Sequence, residues 1–261
     1  MDLEFSALTD VGRVRANNED AVVLVPAHGL VVLADGMGGY NAGEVASALA
    51  VELISGELAR WLEQAASVAG MRDVRRAMEI CVDNANRAIF DAANTDEACA
   101  GMGTTLVMAV AHGDVLLVGH VGDSRAYLWR AGELLQLTRD HSLLQEQVDI
   151  GLITPEEAAV SANSNLVTRA LGVEDAVLLD VREVRMEPGD VYLLCSDGLN
   201  DMVDDSGIAA VLARPDPLGT LARQLIDMAN AAGGRDNVSA ALIRAGETPK
   251  KSGVLSKLLR K

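Results

Sequence analysis

The order in which strand-like and helical segments follow one another is the feature that most restricts the fold of this 261-residue chain. Short apolar runs open the sequence, two long segments with helical periodicity follow, and strand-like runs then resume. Strict alternation of strands and helices would predict a parallel sheet, whereas grouped blocks predict an α+β protein. We therefore expect stacked antiparallel sheets with helices on their outer faces.

Two long segments, at about 43–64 and 72–93, have the periodicity of amphipathic helices. We expect this pair to cover one face of a sheet. In the first segment, apolar residues recur at steps of three to five residues, and these form the predicted buried face: Val45, Leu49, Leu53, Leu58 and Leu62. Shorter helices are predicted at 208–212 and 218–231.

Apolar runs bounded by turn residues predict a series of short strands. Four of them follow one another between residues 104 and 138 and are separated by HGD, GDS and AGE turns, which is typical of an antiparallel meander. The predicted strands are 3–8, 21–25, 30–34, 104–111, 115–121, 125–130, 134–138, 177–184, 191–195 and 238–244.

Composition excludes several classes of protein. The chain has 38 acidic and 22 basic side chains, a net charge of -16, which argues against a nucleic-acid partner because phosphate binding needs a positive surface. No apolar run reaches the roughly 18 residues of a membrane span, and the amino terminus lacks the pattern of a signal peptide. Cys81, Cys99 and Cys195 lie far apart without a CxxC motif. We expect a cytoplasmic monomer without a transmembrane segment.

The lysines mark a boundary near the carboxy terminus. All four lie in the last twelve residues, whereas residues 1–249 hold 17 arginines and 38 acids. Since no linker-like stretch precedes them, we expect a single catalytic domain over 1–246 and a basic tail over 247–261. A flexible, solvated tail is the favoured interpretation. The alternatives are a short amphipathic helix that touches an anionic membrane or an acidic partner, and a tail folded back onto the acidic body.

Four aspartates stand where an apolar strand meets a turn: Asp35, Asp123, Asp197 and Asp236. One such residue is explained by turn chemistry, but four suggest a common rim. Crowded carboxylates repel one another and require protons or a cation, and all-oxygen ligation favours Mg²⁺ or Mn²⁺. Gly36 and Gly198 follow two of the aspartates and would let a backbone carbonyl approach a metal. Two ions about 3.5–4 Å apart would support in-line displacement at phosphorus, so the pattern predicts a dinuclear hydrolase.

A phosphate also needs a positive counter-charge. The segment TDVGRVRANNED supplies two arginines, Arg13 and Arg15, close to Glu19 and Asp20. A guanidinium can grip two phosphoryl oxygens at once. The residues alone leave open which arginine does so, and both could equally be solvated at the surface.

Eight motifs in order resemble the bacterial branch of the protein phosphatase 2C family, the metal-dependent serine/threonine phosphatases. The resemblance spans about residues 9–244 and implies a four-layer αββα sandwich, with two antiparallel sheets flanked by helices and a dinuclear metal site at one edge. The motifs are TDVGRVRANNEDA, VVLADGMGGYNAGEVAS, GMGTTLVMAV, VGDSRAYL, LTRDHSL, NLVTRALG, LLCSDGLND and RDNVSAALI.

The resemblance also implies a set of metal ligands. Asp35 would bridge two Mn²⁺ or Mg²⁺ ions, and the Gly36 carbonyl would hold one of them. Asp197 and Asp236 would complete the set, while Asp20 would contact the site mainly through metal-bound water.

Further roles follow from the same resemblance. Glu19 lies beside Asp20, and Asp123 would help Asp197 to bind a third, weaker ion. The spacing to the ED pair selects Arg15 as the arginine that binds the substrate phosphate. Asn237 would orient Asp236 from outside the ligand set.

The implied reaction is direct attack on phosphorus by a metal-bridging hydroxide, without a phosphoenzyme. This chain departs from the family pattern at two positions. It has Met37 where eukaryotic relatives have a histidine that is the proposed general acid, and it has Tyr40 where many bacterial relatives have a second histidine. Our hypothesis is that a metal-bound water protonates the leaving group and that Tyr40 only lines the pocket. His141 is expected to be structural, with a catalytic contribution as the alternative.

Residues 142–171 are expected to form a flap beside the active site, with a helix that starts at Pro155 after a Thr154 N-cap. The expected substrates are phosphorylated proteins, including a eukaryotic-like bacterial serine/threonine kinase and its targets. Two alternatives remain open: a hydrolase of small phosphomonoesters, and a catalytically weak pseudophosphatase that binds phosphoproteins. The sequence does not identify the substrates or distinguish Mn²⁺ from Mg²⁺.

Overall fold

A computed structural model describes residues 1–38, 42–65, 67–159 and 166–246 of the chain. It contains eleven strands within these ranges, and their bounds are β1 Leu3–Asp10, β2 Asp20–Val25, β3 Leu30–Met37, β4 Gly103–Thr104, β5 Leu106–His112, β6 Val115–Val121, β7 Arg125–Arg130, β8 Glu133–Gln136, β9 Asp180–Arg185, β10 Val191–Cys195 and β11 Val238–Ala245. The α-helices are α1 Ala42–Ala65, α2 Met71–Thr95, α3 Leu143–Asp149, α4 Pro155–Ala159, α5 Asp197–Asn200, α6 Asp205–Leu212 and α7 Leu218–Ala231.

The strands form two antiparallel sheets. The first has the order β1-β11-β10-β7-β8, and the second has the order β2-β3-β5-β6-β9, with β4 paired to β3. Strand β3 shows how the layers are built, because Val31 and Leu33 pack towards the first sheet while Leu30 and Val32 pack towards α1 and α2. Helices α6 and α7 cover the outer face of the first sheet. The predicted αββα sandwich is confirmed.

Helix α1 buries a different face from the predicted one over its first half. Val45 is 37% exposed, and Leu49 and Leu53 are half-buried, whereas Ala46 and Ala50 are completely buried. Small side chains on the inner face allow the helix backbone to lie close to the sheet, so that the larger residues are displaced to the flanks. The periodicity predicted the position of the helix correctly. The predicted buried face is rotated from the observed one, because the larger apolar residues were assigned to it and the alanines were not.

The prediction that the strands between residues 104 and 138 form one antiparallel meander is wrong. Strands β5 and β6 belong to the second sheet, whereas β7 and β8 belong to the first. The chain crosses between the sheets over Gly122–Ser124, with Gly122 in the left-handed region at φ +101° and closely packed against Thr105. Local alternation cannot distinguish a hairpin from a crossing between stacked sheets, and the crossing is what carries Asp123 to the edge of the sandwich.

The predicted flap segment contains α3 and α4 in its described part, and its two ends are joined. The backbone N–H of Thr168 donates to the carbonyl of His141 (2.8 Å), and that of Leu143 donates to the carbonyl of Leu166 (2.9 Å). The predicted start of α4 is confirmed, since the N–H of Glu157 donates to the Thr154 hydroxyl at 3.2 Å. The flap therefore leaves and rejoins the sandwich at one place.

Two sequence predictions concern parts of the chain outside the described residues, namely the basic tail 247–261 and Tyr40. In the ranges that are described, no helix is both long enough and apolar enough to cross a membrane.

Candidate metal centre and active site

One cavity of 190 Å³ at the edge of the sandwich brings the predicted site residues together. They come from the loop after β1, the end of β3, the crossing between the sheets, the start of α5 and the turn before β11. Asp20 is 8% exposed and pairs directly with Asp35 across β2 and β3. The predicted residues that line the cavity are Arg15, Glu19, Asp35, Gly36, Asp123, Asp197, Asp236 and Asn237.

The two carboxylate oxygens of Asp20 have different surroundings. The hydroxyls of Ser196 and Ser239 each donate to its Oδ2 at 2.7 Å, while its buried Oδ1 has no hydrogen-bond partner among the described residues. Burial raises the pKa of Asp20 to about 6, although the two serine hydroxyls act in the opposite direction. A buried carboxylate oxygen without a donor fits a nearby cation or its hydration shell.

The other central carboxyls are also destabilised in their charged form. Burial raises the pKa of Asp35 and Asp197 well above the usual range, and the charges of neighbouring aspartates add to this effect. Burial, followed by the charge of Asp140, raises the pKa of Asp123 to about 6. Desolvated carboxylates at such density need protons or cations, and an all-oxygen set suits hard divalent ions. The residues present therefore fit the two metal ions that the family resemblance implies.

Three hydroxyl residues that the sequence analysis did not single out fix the position of Asp35. The Thr104 hydroxyl donates to the Asp35 carbonyl (2.8 Å), and the Asp35 N–H donates to the Thr105 hydroxyl (3.2 Å). Thr105 is in turn 2.7 Å from the hydroxyl of Ser124, the residue after Asp123. These bonds tie the end of β3 to the crossing between the sheets. The three residues stand in the motifs GMGTTLVMAV and VGDSRAYL, which did not predict these hydrogen bonds.

The two glycines that follow aspartates are required by close packing. A Cβ atom on Gly36 would lie 2.1 Å from the carbonyl oxygen of Gly43, at the start of α1. A Cβ atom on Gly198 would lie 1.9 Å from the carbonyl oxygen of Asn237. Both contacts bring backbone segments together around the cavity. The predicted ligand role of the Gly36 carbonyl stays a prediction.

Arg15 and Arg13 differ in their surroundings. One terminal nitrogen of Arg15 donates to Asp236 Oδ2 at 2.6 Å, and 53% of the Arg15 side chain remains exposed at the mouth of the cavity. Arg13 does not line the cavity, and its backbone N–H donates to the carbonyl of Gly234. The geometry thus favours Arg15 as the phosphate-binding residue.

The side chain of Asn237 connects the turn before β11 to the loop after β1. Its Oδ1 accepts the N–H of Glu19 (2.7 Å), and its Nδ2 donates to the carbonyls of Val11 (3.0 Å) and Asn17 (2.8 Å). The contact to Asp236 comes from the Asn237 backbone, whose N–H donates to Oδ1 at 2.8 Å. Asn237 therefore positions the loop that carries Arg15, in addition to its contact with Asp236.

A second group of possible metal ligands comprises His120, His141 and Asp180, and the two imidazole rings are stacked 4.7 Å apart. Gly122 donates its N–H to His141 Nδ1, so the proton of the neutral ring lies on Nε2 and points to Asp180. Arg169 lies 3.1 Å from the same Nε2. Since a proton and a guanidinium occupy the position that a cation would need, we interpret His141 as a structural residue that supports the crossing loop.

Comparison with known proteins gives a consistent result. The model of the family described as protein phosphatase 2C matches residues 13–242. The protein phosphatase PhpP of Streptococcus pneumoniae is 38% identical over 248 residues, which cover 94% of this chain and 98% of PhpP. The serine/threonine protein phosphatase PstP of Mycobacterium tuberculosis is 42% identical over 238 residues, covering 91% of this chain and 44% of PstP.

Solved structures agree with the sequence matches. The crystal structure of the M. tuberculosis phosphatase PstP/Ppp superposes with a TM-score of 0.86 at 39% identity, covering 94% of this chain and 99% of that one. A structure of the catalytic domain of PstP in complex with two manganese ions has a TM-score of 0.82, also at 39% identity, with coverage of 94% and 99%.

Proposed function

Because this chain belongs to the protein phosphatase 2C family, we propose that it is a metal-dependent phosphatase that hydrolyses phosphoserine and phosphothreonine in proteins. The observation that carries this proposal is the convergence of four aspartates, Asp35, Asp123, Asp197 and Asp236, with Arg15 on a single cavity. The related PstP catalytic domain binds two manganese ions. We extend that cofactor to this chain as two Mn²⁺ or Mg²⁺ ions, with a weaker third site at Asp123 and Asp197.

The aspartates would hold the ions from both sheets of the sandwich. Asp35 lies near the end of β3 in the second sheet, while Asp197 and Asp236 flank β10 and β11 of the first. The Gly36 carbonyl and Asp20 would complete the set. When bound, the ions supply Lewis acidity, which activates water and neutralises the charge of the phosphoryl oxygens.

Arg15 would hold and orient the phosphoryl group of the substrate. Its bond to Asp236 fixes the guanidinium at the mouth of the cavity and leaves further N–H donors for two phosphoryl oxygens. Glu19 lies at the same wall, and the charge of Arg15 opposes the rise in its pKa that burial causes. The loop therefore presents a positive group opposite the carboxylates.

No side chain near the cavity is suited to form a phosphoenzyme among the described residues. Cys195 is completely buried, and burial raises its pKa to about 12, which suppresses the thiolate. The Ser124 hydroxyl is hydrogen-bonded to Thr105, and no described histidine forms a hydrogen bond with it. We therefore propose direct hydrolysis by water.

The biological setting follows the same proposal. The free thiols of Cys81, Cys99 and Cys195 support a reducing cytoplasm as the location. We propose a monomer with its catalytic domain over 1–246. Its partners would be phosphorylated proteins that include a eukaryotic-like bacterial serine/threonine kinase.

The deciding experiment uses purified protein with Mn²⁺, phosphothreonine peptides and a panel of phosphorylated metabolites. We expect phosphate release from the peptides, and a loss of at least about a hundredfold in kcat/KM for Asp197→Ala and Asp236→Ala, because even residues behind metal ligands are worth 10–100-fold. Asp227→Ala, which removes an exposed carboxylate on α7, is the matched control. Release from metabolites alone would favour the small-molecule alternative, and metal binding without release would favour a pseudophosphatase.

A further inference from the structure

A cleft of 630 Å³ adjoins the metal cavity on the side of the flap. Its lining includes residues of α3 and α4 and residues 200–202, at the end of α5 and just after it. Asp123, Asp197 and Asp236 line both the cleft and the metal cavity. A peptide whose phosphorylated residue reaches the metal centre can therefore continue into this flap-side cleft.

The two arginines that line the flap-side cleft differ in availability. Arg125 is fully engaged, because it donates to both carboxylate oxygens of Asp140 at 2.7–3.0 Å and to the Tyr127 hydroxyl at 3.1 Å. Arg235 is exposed and forms no hydrogen bond or ion pair through its side chain with any described residue. Its five N–H donors are free for a ligand.

The position of Arg235 limits which part of a substrate it can meet. It directly precedes Asp236, so the two Cα atoms are about 3.8 Å apart. An extended peptide advances about 3.3–3.6 Å per residue. The Arg235 guanidinium is thus within reach of a side chain about one to three residues from the phosphorylated residue.

We propose that Arg235 determines substrate specificity by binding an anionic side chain next to the phosphoserine or phosphothreonine. The anion is a carboxylate or a second phosphate, since the planar guanidinium pairs with either in a bidentate geometry. This inference rests on the proposed function. The inference specifies the substrate class of the proposed phosphatase, namely phosphoproteins with an acidic or doubly phosphorylated sequence around the target residue.

A competing explanation is that Arg235 only offsets the charge of Asp201 in the same cleft. Burial raises the pKa of Asp201, and the charges of Arg125 and Arg235 oppose that rise. Under this explanation, loss of Arg235 would affect every substrate alike. Selectivity between substrates therefore separates the two explanations better than overall activity does.

The test compares phosphothreonine peptides that differ at one flanking position, scanned over three residues on either side. That position holds Glu, phosphoserine or Gln, so carboxylate and phosphate are distinguished as ligands. For the wild-type enzyme with Mn²⁺, we expect kcat/KM to be about five- to tenfold higher for an anionic flank than for Gln at one or more positions, the size of a partly exposed charge-assisted bond. Arg235→Gln should bring this ratio close to one, and Arg235→Glu should favour a Lys flank.

The matched control is Arg13→Gln, which removes an exposed positive charge from the neighbouring loop but does not line the cleft. It should leave the ratio unchanged. An Arg235→Gln enzyme with the wild-type ratio, or a wild-type enzyme without preference for an anionic flank, would overturn the inference while the proposed function stands. Failure of the wild-type enzyme to hydrolyse any of the peptides would instead overturn both.

Discussion

Asp20 shows which residues of the site can be predicted from the sequence and which cannot. Its Oδ2 accepts hydrogen bonds from two serine hydroxyls, and its buried Oδ1 has no hydrogen-bond partner among the described residues. Turn motifs and the family resemblance predicted the aspartates themselves. Ser196, between β10 and α5, and Ser239, on β11, could not be predicted as hydrogen-bond donors to Asp20. A buried hydroxyl follows no sequence pattern, and these two meet Asp20 only when the two sheets are stacked.

The raised carboxyl pKa values predict an unusual pH dependence for the metal-free protein. A carboxyl whose pKa is higher in the folded than in the unfolded state adds stability that is complete below its unfolded pKa and is lost as pH rises through its folded pKa. For Asp20 and Asp123 the interval runs from near 3.8 to about 6. The melting temperature of EDTA-treated protein should therefore fall across this range, against the usual trend for acidic groups.

Thermal melts between pH 4 and 7 measure this effect. Saturating Mn²⁺ should remove the downward slope, because the ions replace the protons as counter-charge and stabilise only the folded state. Asp20→Asn and Asp123→Asn should each flatten the metal-free curve. A metal-free melting temperature that rises steadily over this interval would contradict the assignment of a crowded, desolvated carboxylate cluster.

At the scale of elements, the loop between β1 and β2 depends on a distant side chain. Asn237 contributes three hydrogen bonds to that loop, and Arg15, Glu19 and Asp20 all follow its course. We expect Asn237→Ala to lower the free energy of unfolding by about 1–3 kcal/mol, since it leaves partly buried backbone groups without their hydrogen-bond partner. It should also raise KM for phosphopeptides by releasing Arg15.

Chemical denaturation and steady-state kinetics of the Asn237→Ala enzyme test both parts. Asn94→Ala is a suitable control, because Asn94 donates a single bond to a carbonyl on the exposed side of α2. A variant that loses stability without any change in KM would show that the loop keeps Arg15 in place by other contacts.

The helices and strands also show which features of the fold a sequence pattern predicts and which it does not. Helix α7 at Leu218–Ala231 and helix α1 were predicted to within two residues, since their periodicity is long and regular. The face of α1 was misjudged because alanines form the close contact with the sheet. The crossing at Gly122–Ser124 was read as a hairpin turn, because the choice between two sheets is made by packing that no local pattern records.

On the scale of the whole molecule, charge is distributed between body and tail. Removal of residues 247–261 takes away five cations and Glu247, and changes the net charge from -16 to -20. We expect the truncated protein to have a melting temperature within about two degrees of that of the full chain and a kcat/KM within about twofold. The reason is that termini outside a domain core contribute little to stability. Sedimentation with anionic lipid vesicles should detect no difference either.

Comparison of the truncated and full-length proteins at one ionic strength completes that test. A marked rise in activity after truncation would support a tail that folds back onto the acidic body, and loss of vesicle binding would support the membrane alternative. Metal binding would also change the net charge of the whole molecule, because two bound divalent ions would bring it from -16 to -12.

The position of β11 has a consequence for biosynthesis. This strand lies between β1 and β10 in the first sheet, with Leu3 opposite Ala245, although it is the last of the described strands in the chain. A nascent chain that ends before residue 236 therefore lacks the strand that joins β1 to the rest of its sheet, and it also lacks Asp236 of the cavity. Domains fold as units during translation, and pairings this remote in sequence form late. We therefore expect the phosphatase to become active only after β11, which ends at Ala245, has left the ribosomal exit tunnel.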